Sequence, residues 1–163
     1  MVEMKVQGLV FDSETNQSIV ILKEETTGRT LPIWVGVFEA NAITMGIEHT
    51  WTPRPMTHDL IKNIIEGMTA LVRKIIVTEL RANTFYAVIL LETEGRLVEI
   101  DSRPSDAIAL ALRTQAPIFV DEKVLESAGH SDPKQKKDPG DKSDKWIDDL
   151  FDKLKPEDFK TEM

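Results

Sequence analysis

The segment from residue 101 to residue 113 constrains the fold of this chain more than any other. It reads DSRPSDAIALALR, so three charged side chains stand in its first six residues and six apolar residues follow. Ser102 is predicted to cap a helix, Pro104 suits an early helical position, and Asp106 lies where a carboxylate interacts favourably with the helix dipole. The apolar run predicts a buried helix, and the charges at its start must pair, bind a ligand or remain solvated.

The rest of the pattern predicts an α+β fold. Alternating apolar residues bounded by turn signals predict strands at 4–11, 18–23, 30–35, 71–80, 84–92, 96–101 and 118–120. Helical spacing predicts helices at 37–49, from a Thr57 cap to about Gly67, at 104–114, and from an Asp121 cap to Ala128. Because the strands form hairpins and the helices are inserted as blocks, we predict a mostly antiparallel sheet with helices packed on it.

The chain divides into three predicted parts. Residues 1–129 form one domain, and residues 130–145 form a flexible linker because they are rich in Lys, Asp, Pro, Gly and Ser. Residues 146–163 are predicted to be an amphipathic C-terminal helix and tail, tethered to the domain by the linker. The apolar residues at helical spacing in this last part are Trp146, Ile147, Leu150, Phe151 and Leu154.

Composition excludes several classes of protein. The chain has no cysteine, which excludes disulfides, thiolate catalysis and cysteine-ligated zinc. It lacks a secretory signal pattern and the run of roughly 18 apolar residues that a membrane helix needs, so we predict a cytoplasmic protein with no membrane contact. With a net charge of −8, the chain does not have the broad basic surface of a plain nucleic-acid-binding module. The negative net charge argues less against a metal-dependent enzyme, because bound metal cations would offset the charge of the carboxylates.

Two Arg-Pro units precede predicted helices and form the candidate site. One reads RPMTHD at 54–59 and the other reads RPSD at 103–106. A residue before proline is held extended, and the two helices must share one core, so their starts can lie side by side. We therefore predict an ion pair from Arg103 or Arg54 to a neighbouring carboxylate. The predicted acceptors are Asp59, Asp106 and Glu39, the last of which lies in the first turn of the helix after Gly36.

The roles of these residues are open on the pattern alone. His58 and Asp59 at a helix start could ligate a metal or transfer protons. The structural alternative is an Asp59 that favours the helix dipole and a His58 that hydrogen-bonds a neighbouring loop. The whole cluster of arginines and carboxylates is likewise either a structural ion network or a site for an anion or metal.

Four motifs of this chain resemble those of the bifunctional nuclease domain family. They are PIWVG at 32–36 followed by Glu39-Ala40, RP at 54–55 with THD at 57–59, TFYA at 84–87, and DSRPSDAIALA at 101–111. The resemblance covers about residues 1–129 and is to bacterial members, which lack the UVR-type helical segment of plant members. It implies a nuclease that cleaves both DNA and RNA with little sequence preference and depends on a divalent metal.

The chemistry of such a nuclease can be assigned to residues of the two segments. Metal-assisted phosphodiester hydrolysis needs oxygen ligands for the metal, a generator of hydroxide and a cation near the phosphate. The predicted catalytic residues are His58, Asp59 and Asp106, and the predicted phosphate contacts are Arg54 and Arg103. The predicted ligands for Mg²⁺ or Mn²⁺ are Glu39, Asp59, Asp101 and Asp106. The alternative is a non-enzymatic interaction or small-anion-binding module in which the Arg/Asp cluster is structural.

The last expectation from the sequence concerns assembly. Strands in hairpins leave sheet edges, and the apolar face predicted at 146–154 favours association. We predict a homodimer with a two-fold interface, the commonest closed arrangement. Its main interface should come from residues 1–129, with the C-terminal helix as an accessory.

Overall fold

The computed structural model describes residues 1–130 of the 163-residue chain. Its strands are β1 Val2–Asp12, β2 Gln17–Lys23, β3 Thr30–Val35, β4 Ala70–Arg81, β5 Thr84–Thr93, β6 Arg96–Ser102 and β7 Ile118–Val120. Its helices are α1 Val37–Glu48, α2 Thr57–Gly67, α3 Pro104–Thr114 and α4 Glu122–Ala128. Every strand and helix predicted for this part of the chain is present, with ends shifted by one or two residues. The predicted linker at 130–145, apart from His130, and the predicted helix at 146–163 lie outside the described residues.

The strands form one seven-stranded sheet in the order β3-β2-β1-β7-β4-β5-β6. The first three strands make one antiparallel meander and β4, β5 and β6 make another. Strand β7 joins the two meanders at the centre, antiparallel to β1 and parallel to β4. A parallel pair needs a long crossover, and here the chain returns from the β6 edge to the centre through α3. The predicted α+β class with a mostly antiparallel sheet is confirmed.

Helix α3 lies at the centre of the hydrophobic core. Ala107, Ile108 and Ala109 are fully buried, and Leu110 is 1 % exposed. Small alanine side chains let the helix pack against α1 and α2 as well as the sheet strands β4 and β5. On the α1 side the approach is close enough that a Cβ at Gly46 would lie 3.0 Å from the Cβ of Leu112. The prediction of a buried helix at 104–114 is confirmed.

Two predicted helix caps are wrong, and proline geometry explains the first. Arg103 is the N-cap of α3, because the residue before Pro104 is held extended, at φ −69° and ψ 144°. Ser102 therefore lies one position too early, and its hydroxyl donates to the carbonyl of Arg103 at 2.8 Å. Helix α2 begins at Thr57 itself, so Met56 is the N-cap in place of Thr57.

The predicted cap at Asp121 is confirmed. Its Oδ1 accepts a hydrogen bond from the backbone N–H of Lys123 at 2.9 Å, which satisfies one of the free amides at the start of α4. This short helix then buries Val124 and Leu125 against the core.

The apolar face of α2 is only partly covered by the core. Ile61 and Ile65 pack against core residues, whereas Leu60 and Ile64 are each about half exposed and Met68 is 72 % exposed. The helix therefore leaves an apolar strip on the surface of the domain. No helix among residues 1–130 has the length and apolar character required to span a membrane.

Candidate functional site

The two Arg-Pro segments do not contribute equally to the candidate site, but the helices that follow them start side by side. Helices α2 and α3 pack against each other, which brings residues 57–59 next to residues 103–106. The Nε2 atom of His58 lies 3.0 Å from Oδ1 of Asp106, and Nε of Arg103 donates to Oδ2 of the same carboxylate at 2.8 Å. The predicted ion pair between an Arg-Pro arginine and a neighbouring carboxylate is confirmed.

Helix α1 adds a third side chain to this cluster. Glu39, in the first turn of α1, accepts a hydrogen bond from Nη1 of Arg103 at 2.9 Å. Its carboxylate folds back over the start of the helix, so closely that a Cβ at Gly36 would overlap Oε2. Gly36 is needed here for space, since its φ of −68° is open to any residue.

Asp59 belongs to a second ion pair, which joins α2 to α3. Its Oδ1 accepts from Nε of Arg113 at 2.8 Å, and its Oδ2 accepts from the backbone N–H of Met56 at 3.0 Å. The Arg113 side chain is only 8 % exposed and also donates to the carbonyl of Ala109 at 2.8 Å. Asp59 therefore fastens the start of α2 to α3.

Sequence reasoning missed Arg113, although a signal for it exists. Arg113 follows Asp106 by seven residues on α3, which is about two helical turns and places both on one face. A charged residue at the end of an otherwise buried helix needs a partner, and α2 supplies it.

The three clustered carboxylates share one helical position. Counted from the N-caps Gly36, Met56 and Arg103, residues Glu39, Asp59 and Asp106 each stand third in their helix. At this position the helix dipole stabilises a negative charge. The fold therefore gathers three helix starts, three carboxylates and two arginines in one region.

Electrostatics keep Asp106 in its anionic form. Partial burial alone would raise the pKa of Asp106, but hydrogen bonds from Arg103 and His58 outweigh it and hold that pKa below its ordinary value. Burial alone would also raise the pKa of Asp59, but hydrogen bonds from the Met56 amide and from Arg113 outweigh it and hold that pKa below its ordinary value. The Asp106 carboxylate, followed by that of Glu39, raises the pKa of Arg103. At neutral pH Asp106 is therefore a carboxylate that accepts hydrogen bonds and donates none.

Two predicted site residues lie apart from the cluster. Arg54 is exposed in the loop before α2, and among residues 1–130 no ion pair involves its side chain. Its backbone carbonyl accepts from the Thr52 hydroxyl at 2.7 Å. Asp101 is exposed on β6 opposite Val88 and likewise makes no ion pair within the described part of the chain.

The predicted set of four metal ligands is therefore not gathered in one place. Residues 1–130 contain no group of three or more His, Asp or Glu side chains placed to hold a metal ion. Glu39 and Asp106 lie together around Arg103, whereas Asp59 pairs with Arg113 and Asp101 lies on β6. The arrangement does not fit a closed cage of protein ligands. Glu39 and Asp106 remain as two neighbouring carboxylates. Mg²⁺ is often bound by one or two protein carboxylates, with waters and substrate phosphates as its other ligands.

The cluster lines a cavity of about 470 Å³. The lining of this cavity, hereafter the large cavity, includes the charged and polar groups Glu39, His58, Arg103 and Asp106. It also includes the apolar residues Phe38, Met45, Met56 and Ile61. A concave site that combines an apolar wall with a few convergent polar groups is typical of ligand binding.

Fold and site together define an α+β domain with a single composite site, in which a histidine–carboxylate pair and an exposed arginine lie beside a ligand-sized cavity. The family model for the bifunctional nuclease domain matches residues 20–133, and the chain belongs to this family. The resemblance predicted from the four motifs is thereby confirmed.

The chain is also similar in sequence to individual proteins. The chain is 34 % identical over 166 residues to an uncharacterized protein of Mycobacterium tuberculosis strain H37Rv, covering 98 % of this chain and 99 % of that protein. It is 30 % identical over 121 residues to bifunctional nuclease 1 of Arabidopsis thaliana and 28 % identical over 121 residues to bifunctional nuclease 1 of Oryza sativa subsp. indica. Each plant match covers 72 % of this chain but only 37 % of the plant protein.

Proposed function

We propose that this protein is a nuclease that hydrolyses phosphodiester bonds of DNA and RNA with little sequence preference and needs Mg²⁺ or Mn²⁺. The observation that carries the proposal is the joined set of His58, Asp106, Arg103 and Glu39 at the wall of a cavity of about 470 Å³. Membership of the bifunctional nuclease domain family and the names of the plant relatives support the same reaction.

His58 is the proposed general base. It is 8 % exposed and lines the cavity, and Asp106 contacts its Nε2 atom. A carboxylate at Nε2 favours the tautomer that carries its proton there, which leaves Nδ1 of the neutral ring able to accept one. In the proposed reaction His58 takes a proton from water as the water oxygen bonds to phosphorus. The bond from phosphorus to the leaving sugar oxygen then breaks, and that oxygen takes a proton from solvent.

Arg103 is the proposed phosphate contact. Its side chain is 64 % exposed, while Nε and Nη1 are held by the two carboxylates. The guanidinium is thereby fixed in orientation, and Nη2 is left to donate to a phosphate oxygen. Arg54, exposed in the loop before α2, is proposed as a second contact for a longer substrate.

Glu39 and Asp106 are the residues proposed to hold the metal. A bound divalent ion would polarise the phosphate and lower the pKa of a coordinated water. The two other predicted ligands are left out of this proposal, because Asp59 is held by Arg113 and the Met56 amide and Asp101 lies on β6. Asp59 keeps a positioning role, since it fastens the helix start that carries His58.

Cleavage of end-labelled DNA and RNA by purified full-length protein tests the proposal. Activity should require Mg²⁺ or Mn²⁺ and stop on chelation, and His58→Ala should lower kcat by about 10²–10⁴-fold, as expected for loss of a general base. Asp106→Asn and Arg103→Ala should lower it as well. Glu126→Gln is the matched control, because this exposed carboxylate lies on α4 outside the cavity. Metal-dependent cleavage that survives all three substitutions would show contamination and reject the proposal.

A small-anion-binding or interaction module is the second candidate function. It is favoured by the ion pairs that already occupy Glu39, Asp106 and Arg103, and by the net charge of −8. Such a module would bind inorganic phosphate in calorimetry, would lose that binding in Arg103→Ala, and would cleave no nucleic acid with any metal.

We also propose that the protein acts as a cytoplasmic homodimer with a two-fold interface on residues 1–129. The apolar strip of α2 supports this, since Leu60, Ile64 and Met68 are exposed together. Light scattering should give twice the chain mass, and Ile64→Glu should shift it toward a monomer. A monomer at micromolar concentration in both proteins would contradict the assembly. Fractionation of cells would check the location.

A further inference from the structure

A second cavity adjoins the large one. This small cavity has a volume of about 280 Å³ and lies between the end of β3 and the start of β5. Trp34 and Phe85 line it, and it shares two residues with the large cavity, Glu39 and Arg103. The Arg103–Glu39 ion pair is therefore the common wall, with one cavity on each side of the exposed guanidinium.

Both cavities present apolar surface that includes an aromatic ring. Phe38 lies at the large cavity and is 85 % exposed, and Trp34 at the small cavity is 40 % exposed. Aromatic side chains bind unpaired bases by stacking, with little regard to which base is present. Apart from Arg103 and the ion-paired Arg113, neither lining contains an arginine or lysine, so the cavities are not suited to the phosphate backbone.

We propose that the substrate is single-stranded nucleic acid, with its phosphodiester on Arg103 and the two flanking nucleosides in the two cavities. The inference rests on the proposed nuclease function. In a duplex the bases stack on one another and only the backbone reaches Arg103, which leaves both cavities empty. A single strand, or a loop of unpaired bases, can turn two neighbouring bases outward and fill them.

The arrangement also accounts for a lack of sequence preference. Stacking against Phe38 and Trp34 reads no base edge, and in the shared wall Arg103 donates to the phosphate while Glu39 is paired with Arg103. The same property lets one site accept both DNA and RNA, because nothing in the proposed contacts requires or excludes a 2′-hydroxyl.

The test compares cleavage of one labelled oligonucleotide as a single strand, as a blunt duplex, and as the loop of a hairpin. The full-length protein should cut the single strand and the loop at least about 100-fold faster than the duplex, because turning out two neighbouring bases breaks at least two stacking steps worth about tenfold each. Phe38→Ala should raise KM for the single strand about fivefold or more. Phe11→Ala is the matched control, since Phe11 is 59 % exposed on β1 and lines neither cavity.

The outcomes separate this inference from the proposed function. Equal rates on single strand and duplex would overturn the inference and leave the nuclease in place. Absence of cleavage on every substrate would reject the nuclease and the inference with it. A Phe38→Ala protein with unchanged KM but a smaller mass in light scattering would assign that ring to a protein interface and overturn the inference.

Discussion

The Arg113–Asp59 ion pair makes a quantitative prediction because its two partners are buried to different extents. The Arg113 side chain is 8 % exposed and the Asp59 side chain is 33 % exposed, with 2.8 Å between Nε and Oδ1. Removing the carboxylate leaves a buried guanidinium without its anion, whereas removing the guanidinium leaves a carboxylate that water can reach. The two substitutions should therefore not cost the same.

The substitutions Asp59→Asn and Arg113→Met isolate this difference. Asparagine can still accept from the Met56 amide, so the start of α2 is kept, and methionine keeps the length of the side chain without the charge. Breaking a buried pair costs about 3–5 kcal/mol, which we assign to Asp59→Asn. For Arg113→Met we expect about 2–3 kcal/mol, the range of charge-assisted hydrogen bonds, because Asp59 is partly solvated.

Urea denaturation of the single variants and the double variant measures both values and their coupling. Arg73→Met is the matched control, because the Arg73–Glu92 pair has 52 % and 33 % exposed side chains and should contribute little to stability. A loss below about 1 kcal/mol for Asp59→Asn, or a larger loss for Arg113→Met, would refute the reasoning. Folded Asp59→Asn protein should also lose cleavage activity, since His58 is its neighbour on α2.

Three further predictions concern the same site and its support. Because the pKa of Asp106 lies below its ordinary 3.8 in the folded protein, its contribution to stability is fully present above that value and is lost as pH falls through the lower folded pKa. Urea midpoints below about pH 4 should accordingly fall less steeply in Asp106→Asn. Gly36→Ala should displace the flexible Glu39 carboxylate and lower activity with little loss of stability. Gly67→Ala, with open space around its Cβ position, should leave activity unchanged. Leu110→Ala should lower the free energy of unfolding by about 2–5 kcal/mol in calorimetry, and a loss below about 1 kcal/mol would contradict the central place of α3.

The fold was predictable from the sequence because local and global signals agree. Strand alternation and helical spacing indicated every element within residues 1–130, and the unbroken apolar run at 107–112 indicated the helix that became the centre of the core. What the sequence could not supply was the position of β7 between β1 and β4. The three residues of β7 are too short a pattern to predict which strands they pair with. The packing of α3 determines where the chain returns to the sheet as β7.

The candidate site was predictable in part, and the two arginines show why. Arg103 and Arg54 both precede proline, but Arg103 is an N-cap with a carboxylate three residues later, a spacing that brings the two side chains together. Arg54 stands two residues before the N-cap of α2, and the carboxylate nearest along the chain, Asp59, is taken by Arg113. That competition depends on the packing of α2 against α3, which spacing along one segment does not reveal.

The net charge of −8 and a polyanionic substrate are compatible because of where the nearby carboxylates lie. Glu39, Asp59 and Asp106 each stand at the positive end of a helix dipole. The three carboxylates are also paired with two arginines, Arg103 and Arg113, so one negative charge of the three is left uncompensated. Exposed charges beyond about 10 Å are largely screened at 0.1 M salt. Affinity in the proposed site must then come from base contacts in the two cavities, whereas a basic nucleic-acid-binding module draws it from many phosphates.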